Sequence, residues 1–384
     1  MKDKINIGVV ADWLVTYAGA ERVLSEMFDI FPDAELYSIV DFLSDEAREY
    51  FHNKKAKTTF IQNLPFAKSK YQNYLPLMPL AIEQLDVSGH DIILSSSHAV
   101  SKGVLTGPDQ LHISYVHSPI RYAWDLQHQY LKESGLDHGV KGIIAKWLLH
   151  KIRIWDYRTA SGVNHFVANS KFIARRINKV YGRTADVIYP PVDVKRFTLN
   201  ENKKDYFVTA SRLVPYKRVD LIVEAFSHMP DKQLVVIGDG SDMKKIKAKA
   251  TANIEILGYQ PNSVMEEYMR NAKAFIFAAE EDFGITPVEA QACGTPVIAF
   301  GKGGSLETVR PLGVNMPTGM FFEQQNISSL ISAVNLFTEN QELFEPANCR
   351  ANALKFSVER FKNEMNNYVS QKWTDFQKFK AVTY

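Results

Sequence analysis

The chain has 384 residues, enough for two or three domains that each bury a core. Hydrophobic residues make up 46% and charged residues 23%, the balance of a folded globular protein. A formal charge of +2 excludes a global polycation for nucleic acid, and two cysteines, Cys293 and Cys349, exclude a disulfide framework and fit a reducing compartment.

The N-terminus moves straight into an apolar run, Ile5–Val10, with no signal-peptide core before it. No uninterrupted apolar stretch reaches the roughly 18 residues needed to span a bilayer. The expectation is a cytoplasmic chain, at most attached to a membrane surface. Ile5–Val10 reads as the first strand of a buried parallel sheet, because it is continuous rather than alternating. A loop and then Gly19-Ala20-Glu21-Arg22 follow, opening a helix. Further strands are expected at Leu36–Val40, Ile92–Ser95, His112–His117, His165–Ala168 and Val187–Tyr189, with helical patterns between them. This alternation predicts a doubly wound α/β domain.

Two segments in this half interleave cations with aromatic and aliphatic residues. One is Lys54–Leu85, with Lys54, Lys55, Lys57, Lys68 and Lys70 among Phe60, Phe66, Tyr71 and Tyr74. It reads as an acceptor-binding or membrane-facing surface. The other, Lys141–Arg158, reads either as a basic amphipathic surface on an anionic membrane or, the favoured reading, as a helix with one solvated face and one face in the core.

Pro190-Pro191 and the polar run Leu199–Asp205 mark a break, after which the alternation restarts. Strands are expected at Tyr206–Ala210, Leu234–Ile237, Ile254–Leu257, Ala274–Ala279 and Val297–Phe300, with a helix over Val219–His228. A helical pattern from Ala353 to Phe379 suggests a final helix that bridges the two domains. In such sheets, ligands bind outside the carboxyl ends of the strands, and there the notable residues fall: Gly19, His117, Arg212, Lys217, Gly238-Asp-Gly240, Glu281 and Gly303-Gly304.

The central stretch is Glu281-Asp-Phe-Gly-Ile-Thr-Pro-Val-Glu289. Pro287 suits the first position of a helix, and Gly284 lets the backbone approach a ligand closely. A helix start presents free N–H groups that attract phosphate. The structural alternative is a capping box, Thr286-x-x-Glu289, in which Glu289 serves only its own helix. Arg212 and Lys217 follow a strand, where cations at a helix start are electrostatically misplaced unless an anion binds. Arg offers a planar fork to phosphate oxygens and Lys a point charge. His117 ends its strand beside the cluster Ser118-Pro-Ile-Arg-Tyr-Ala-Trp-Asp125.

Glu281–Glu289, Arg212, Lys217, Gly238-Asp239-Gly240 and Gly303-Gly304-Ser-Leu-Glu307 together resemble the retaining glycosyltransferases of family 4. Ala18-Gly19-Ala20-Glu21-Arg22 resembles that family's glycine-rich turn, with Ala18 where a second glycine is common. Val187–Phe197 resembles its interdomain segment. His117–Asp125 narrows the resemblance to bacterial O-antigen mannosyltransferases.

The resemblance implies the GT-B fold, two Rossmann-like domains facing a central cleft. It implies an N-terminal acceptor domain, 1–195, joined by the C-terminal helix from about 365 to 384, and a nucleotide-sugar domain, 196–364. Arg212 and Lys217 would then hold the donor diphosphate, and Glu281 the donor-sugar hydroxyls. Backbone N–H groups of Phe283, Gly284, Ile285 and Thr286 would meet sugar and phosphate. Glu289 would bind the ribose, His117 would lie beside the donor sugar, and Gly19 would approach the phosphate. GDP-mannose is the implied donor. The implied acceptor is a lipid-diphosphate-linked oligosaccharide at the cytoplasmic membrane face. No metal or other cofactor is expected, since no Asp-x-Asp cluster is present to hold one.

Four other readings remain. A glycoside hydrolase needs two carboxylates roughly 5–9.5 Å apart about one bond, and it has no use for Arg212 and Lys217. A nicotinamide dehydrogenase needs Gly-x-Gly-x-x-Gly after the first strand, which 11–20 lacks. A catalytically silent sugar-nucleotide-binding protein, or a family 4 transferase using a uridine or thymidine sugar, would share the same residues.

Overall fold

The computed structural model describes residues 5–383. The chain divides into two compact units. One runs to Tyr189 and resumes at Phe361; the other is Pro190–Arg360.

The first unit is built on a seven-stranded parallel sheet. Its strands are β1 (Ile7–Ala11), β2 (Glu35–Ser38), β3 (Lys57–Thr58), β4 (Ile92–Ser97), β5 (Leu111–Val116), β6 (His165–Ala168) and β7 (Ala185–Val187), in the order β3-β2-β1-β4-β5-β6-β7. The central strands are buried along their length, as expected where helices cover both faces. Val9, Leu94 and Ile113 belong to one core cluster, and Val10 and Ile93 to another. The alternation along each strand thus feeds two separate layers.

The second unit repeats the plan with six strands: β8 (Phe207–Ala210), β9 (Leu234–Ile237), β10 (Ile254–Gly258), β11 (Ala274–Phe277), β12 (Val297–Phe300) and β13 (Gly319–Phe322). Their order is β10-β9-β8-β11-β12-β13, again all parallel. In both sheets the winding direction reverses next to the first strand: between β1 and β4, and between β8 and β11. At such a switch point the loops leaving two adjacent strands diverge to opposite faces and leave a crevice.

Three expectations are corrected here. The edge strands β3 and β13 were not expected: the first is two residues long, and the second lies in a sequence broken by glycine and proline. The tail is two helices, Pro346–Leu354 and Val358–Thr383. They are separated because the Phe356 carbonyl accepts from Val192 N–H (2.9 Å) and Ser357 Oγ accepts from Arg360 N–H. From Phe361 onward the last helix belongs to the first unit, where Phe361, Met365 and Val369 are buried against its sheet. Finally, Pro287 is the third residue of its helix, Ile285–Ala292, and not the first. It is tolerated because the first four N–H groups of a helix have no partner within it.

Candidate active site

In the second unit, the switch-point strands β8 and β11 deliver the charged residues. After β8 the chain turns through Ser211–Leu213 into a short turn, Pro215–Lys217, and then the helix Val219–Ser227. After β11 it runs through Glu281–Gly284 into the helix Ile285–Ala292. Lys217 Nζ makes an ion pair with Glu281 Oε1, bringing together side chains 64 residues apart. The ammonium also lies 5.9 Å from the centroid of Phe277 and 5.4 Å from that of Tyr216. Both side chains of the pair are largely shielded from water, so their interaction is less screened than a surface pair. Arg212 stands on the same loop as Lys217 and is exposed.

Each loop is seated by glycines of the neighbouring strand's loop. A Cβ on Gly238 would lie 1.8 Å from the Ser211 carbonyl oxygen, and one on Gly240 2.4 Å from that of Leu213. The loop is further tied by Leu213 N–H donating to Asp239 O at 2.9 Å. On the other side, a Cβ on Gly304 would lie 2.3 Å from Phe283 Cα, and Gly304 N–H donates to Glu281 O at 2.8 Å. Backbone packed this closely leaves no space for side chains, which is why glycines recur beyond the strand ends.

Gly284 caps the helix Ile285–Ala292 with φ of +86°, a left-handed conformation that favours glycine. Gly284 has no side chain with which to cap this helix. The Thr286-x-x-Glu289 capping box is therefore not used, because the helix begins at Ile285 and Glu289 falls in its second turn. Ile285 and Thr286 open the helix and are partly accessible, while Phe283 and Gly284 are buried. Glu289 is also buried, 5% exposed.

In the first unit, Gly19 is the first residue of the helix Gly19–Ile30, and Ala18 N–H donates to Glu21 Oε2 at 3.2 Å. Burial raises the Glu21 carboxyl above its ordinary value. His117 follows β5, with Nε2 2.8 Å from Ser96 Oγ and its ring between those of Tyr115 and His98. Desolvation, assisted by His98, pushes it down to about 3. The ring is neutral at physiological pH, suited to hydrogen bonding rather than to carrying charge.

Asp12 was missed in the sequence. It follows β1 at the switch point, is 1% exposed, and accepts four backbone N–H bonds from His98, Ala99, Val100 and Ser101 at 2.6–2.9 Å. His98 Nδ1 lies 3.0 Å from its Oδ2. An aspartate directly after a first buried strand was the available signal, but its partners lie 86 to 89 residues away.

The lysines of the Lys54–Leu85 segment have different partners. Lys57 is ion-paired to Glu35 at 2.6 Å, and Lys54 lies over the Phe28 ring. Lys55, Lys68 and Lys70 are exposed, the last 5.8 Å from the ring centroid of Phe66, which is itself exposed. Cys293 and Cys349 are buried free thiols, each pushed up to about 12 by burial. Among the described residues, no cluster of three His, Cys, Asp or Glu side chains could hold a metal ion, and no helix is long and apolar enough to cross a membrane.

Residues 19–196 match the family model described as Glycosyltransferase Family 4, and residues 192–356 the one described as Glycosyl transferases group 1. An uncharacterised glycosyltransferase of Methanocaldococcus jannaschii is 28% identical over 54% of this chain and 58% of that protein. A GDP-mannose-dependent phosphatidylinositol monomannoside mannosyltransferase of Corynebacterium glutamicum is 31% identical over 42% of this chain and 49% of that protein. The chain thus spans about half the length of these curated relatives. Among solved structures, Anabaena HepE in complex with UDP superposes with a TM-score of 0.71 at 18% identity, covering 96% of this chain and 100% of that one. The two family matches together run from residue 19 to 356, and the chain belongs to the GT-B glycosyltransferases of family 4.

Proposed function

We propose that the protein is a retaining glycosyltransferase that moves mannose from GDP-mannose to a lipid-diphosphate-linked oligosaccharide in cell-surface polysaccharide synthesis, working at the inner face of the cell membrane. The observation that carries the transferase reading is the Lys217–Glu281 pair at the β8/β11 switch point, flanked by Arg212 and the N-terminus of helix Ile285–Ala292. A donor diphosphate competes with Glu281 for the Lys217 ammonium and releases the carboxylate for sugar hydroxyls. Arg212, Lys217 and the N–H groups of Ile285 and Thr286 then face the oxygens on which negative charge develops.

In the reaction the bond from the anomeric carbon to the diphosphate oxygen breaks, and a bond from that carbon to the acceptor oxygen forms on the same face. The acceptor proton leaves with the departing phosphate oxygen. Positive charge comes from the protein itself, and the step requires no metal. His117, neutral and held by Ser96, donates or accepts a hydrogen bond rather than a proton. Glu289, buried in its helix, reaches the ribose only through a local opening of its surroundings.

The donor rests on the corynebacterial relative's stated dependence on GDP-mannose. A uridine sugar is the second reading, favoured by the UDP bound in the Anabaena neighbour. Thermal-shift titration with GDP-mannose, UDP-glucose and a thymidine sugar, followed by nucleotide-release assays with acceptor, tests both. Stabilisation and turnover with GDP-mannose support the mannosyl reading, and preference for a uridine sugar refutes it. Stabilisation without turnover on any acceptor would make the protein a silent binding protein.

A further inference from the structure

The helix Gly139–Thr159 is anchored on its inner face and exposed on its outer one. Inside, Asp156 is fully buried, 2.7 Å from Lys102 Nζ, and accepts from Trp124 Nε1 (2.7 Å) and the Tyr181 hydroxyl (3.0 Å). Ile152 is buried in a cluster that also takes in Leu149 and Leu75. Outside, Val140, Ile143, Ile144, Trp147 and Ile154 are each at least 52% exposed. Their spacing of three, four, seven and fourteen residues from Val140 puts them on one stripe of the helix. A solvated helix face, as the sequence suggested, would carry polar residues there.

Cations surround this stripe. Lys141, Lys146, Lys151 and Arg158 are exposed, and Lys151 Nζ lies 5.5 Å from the Trp147 ring centroid. The helix's one carboxylate, Asp156, is the buried one. Nearby acids are engaged, with Glu83 paired to Arg158 and Asp137 to His138. The adjoining segment, which packs through Leu75 against the inner face, itself exposes Phe66, Leu77, Leu80, Lys68 and Lys70.

We infer that the outer face of helix Gly139–Thr159 lies in the headgroup region of an anionic lipid bilayer, with Ile143 and Trp147 inserted and Lys141, Lys146 and Lys151 on the phosphates. Charge decides between occupants. A second copy meeting the same face would set lysines against lysines, whereas anionic lipid complements both the apolar stripe and its rim. An exposed tryptophan beside lysines is the composition of an interfacial anchor. The inference deepens the proposed function and rests on it for its purpose, since a lipid-linked acceptor is met only at a membrane.

Co-sedimentation of the full chain with vesicles of phosphatidylcholine, with and without phosphatidylglycerol, tests it. Binding is expected to the anionic vesicles, to weaken with salt, and to fall about tenfold or more in Ile143→Glu/Trp147→Glu and in Lys141→Glu/Lys146→Glu/Lys151→Glu. These side chains are exposed, so the variants should melt as the parent does, and transfer to a detergent-solubilised acceptor should be unchanged. Undiminished vesicle binding by either variant, or no binding by the parent, overturns the inference. So does a parent dimer that the variants dissociate while vesicle binding persists. Vesicle binding without transfer from any nucleotide sugar would instead sink the proposed reaction and leave the docking surface standing.

Discussion

Lys217 and Glu281 form an ion pair, and the proposed reaction gives each its own task. Lys217→Ala removes the charge proposed to face the diphosphate, and Glu281→Ala the group proposed to hold the sugar. Each is expected to lower kcat/KM by about 10²–10³-fold, the scale of losing one preorganised electrostatic contact. Circular dichroism and melting should show the fold retained, and nucleotide release measures the loss; full activity in either variant would refute the site. Gly304→Ala tests positioning. Its Cβ would fall 2.3 Å from Phe283 Cα, so the loop carrying Glu281 must shift, and kcat should drop although no ligand group is removed. Because the positive charge is built in, dialysis against EDTA is expected to leave turnover unchanged; loss restored by a divalent ion would show that a metal takes part. Arg212, Lys217 and Glu281 were legible as residue types, since charges just past buried strands need a reason. That Lys217 and Glu281 touch was not legible, because 64 residues separate them.

At the level of elements, the helix Gly139–Thr159 depends on its buried ion pair. Asp156→Ala leaves the Lys102 ammonium buried without its partner and should destabilise the first unit by about 3–5 kcal/mol in denaturant unfolding. Lys102→Met/Asp156→Leu, which removes both charges, should cost clearly less; equal losses would show that packing rather than charge anchors the helix. The sequence named this segment as basic and amphipathic and left its outer face between membrane and water, with water favoured. Periodicity marks an apolar stripe without saying whether it faces the core, and here two faces carry apolar residues while the core takes just one. The helix Ile285–Ala292 gives a similar lesson. Thr286-x-x-Glu289 had the spacing of a capping box, but the left-handed Gly284 starts the helix two residues before Pro287. The pattern shifts into the helix and ceases to cap.

For the whole molecule, pH should act through buried histidines. His112 and His117 both sit at about 3 in the fold against an ordinary 6.5, because desolvation penalises their charged forms. As pH falls below 6.5 the unfolded chain binds these protons while the folded one does not until about 3, so stability declines across that window. Melting temperature should fall steadily from pH 6.5 toward 4, and a flat profile would contradict these assignments. The sequence by itself determined the two α/β units, most of the buried strands and the charged residues at their ends. These follow from local facts: continuous apolar runs, proline and glycine breaks, and charges placed where a strand stops. Tertiary structure alone decided that Asp12 gathers four N–H groups from beyond β4, that glycine loops seat Arg212 and Glu281, and which face of helix Gly139–Thr159 stays uncovered. Each depends on strands neighbouring in the sheet but distant in the chain, and a parallel sheet makes such neighbours by crossing over, which no local pattern records.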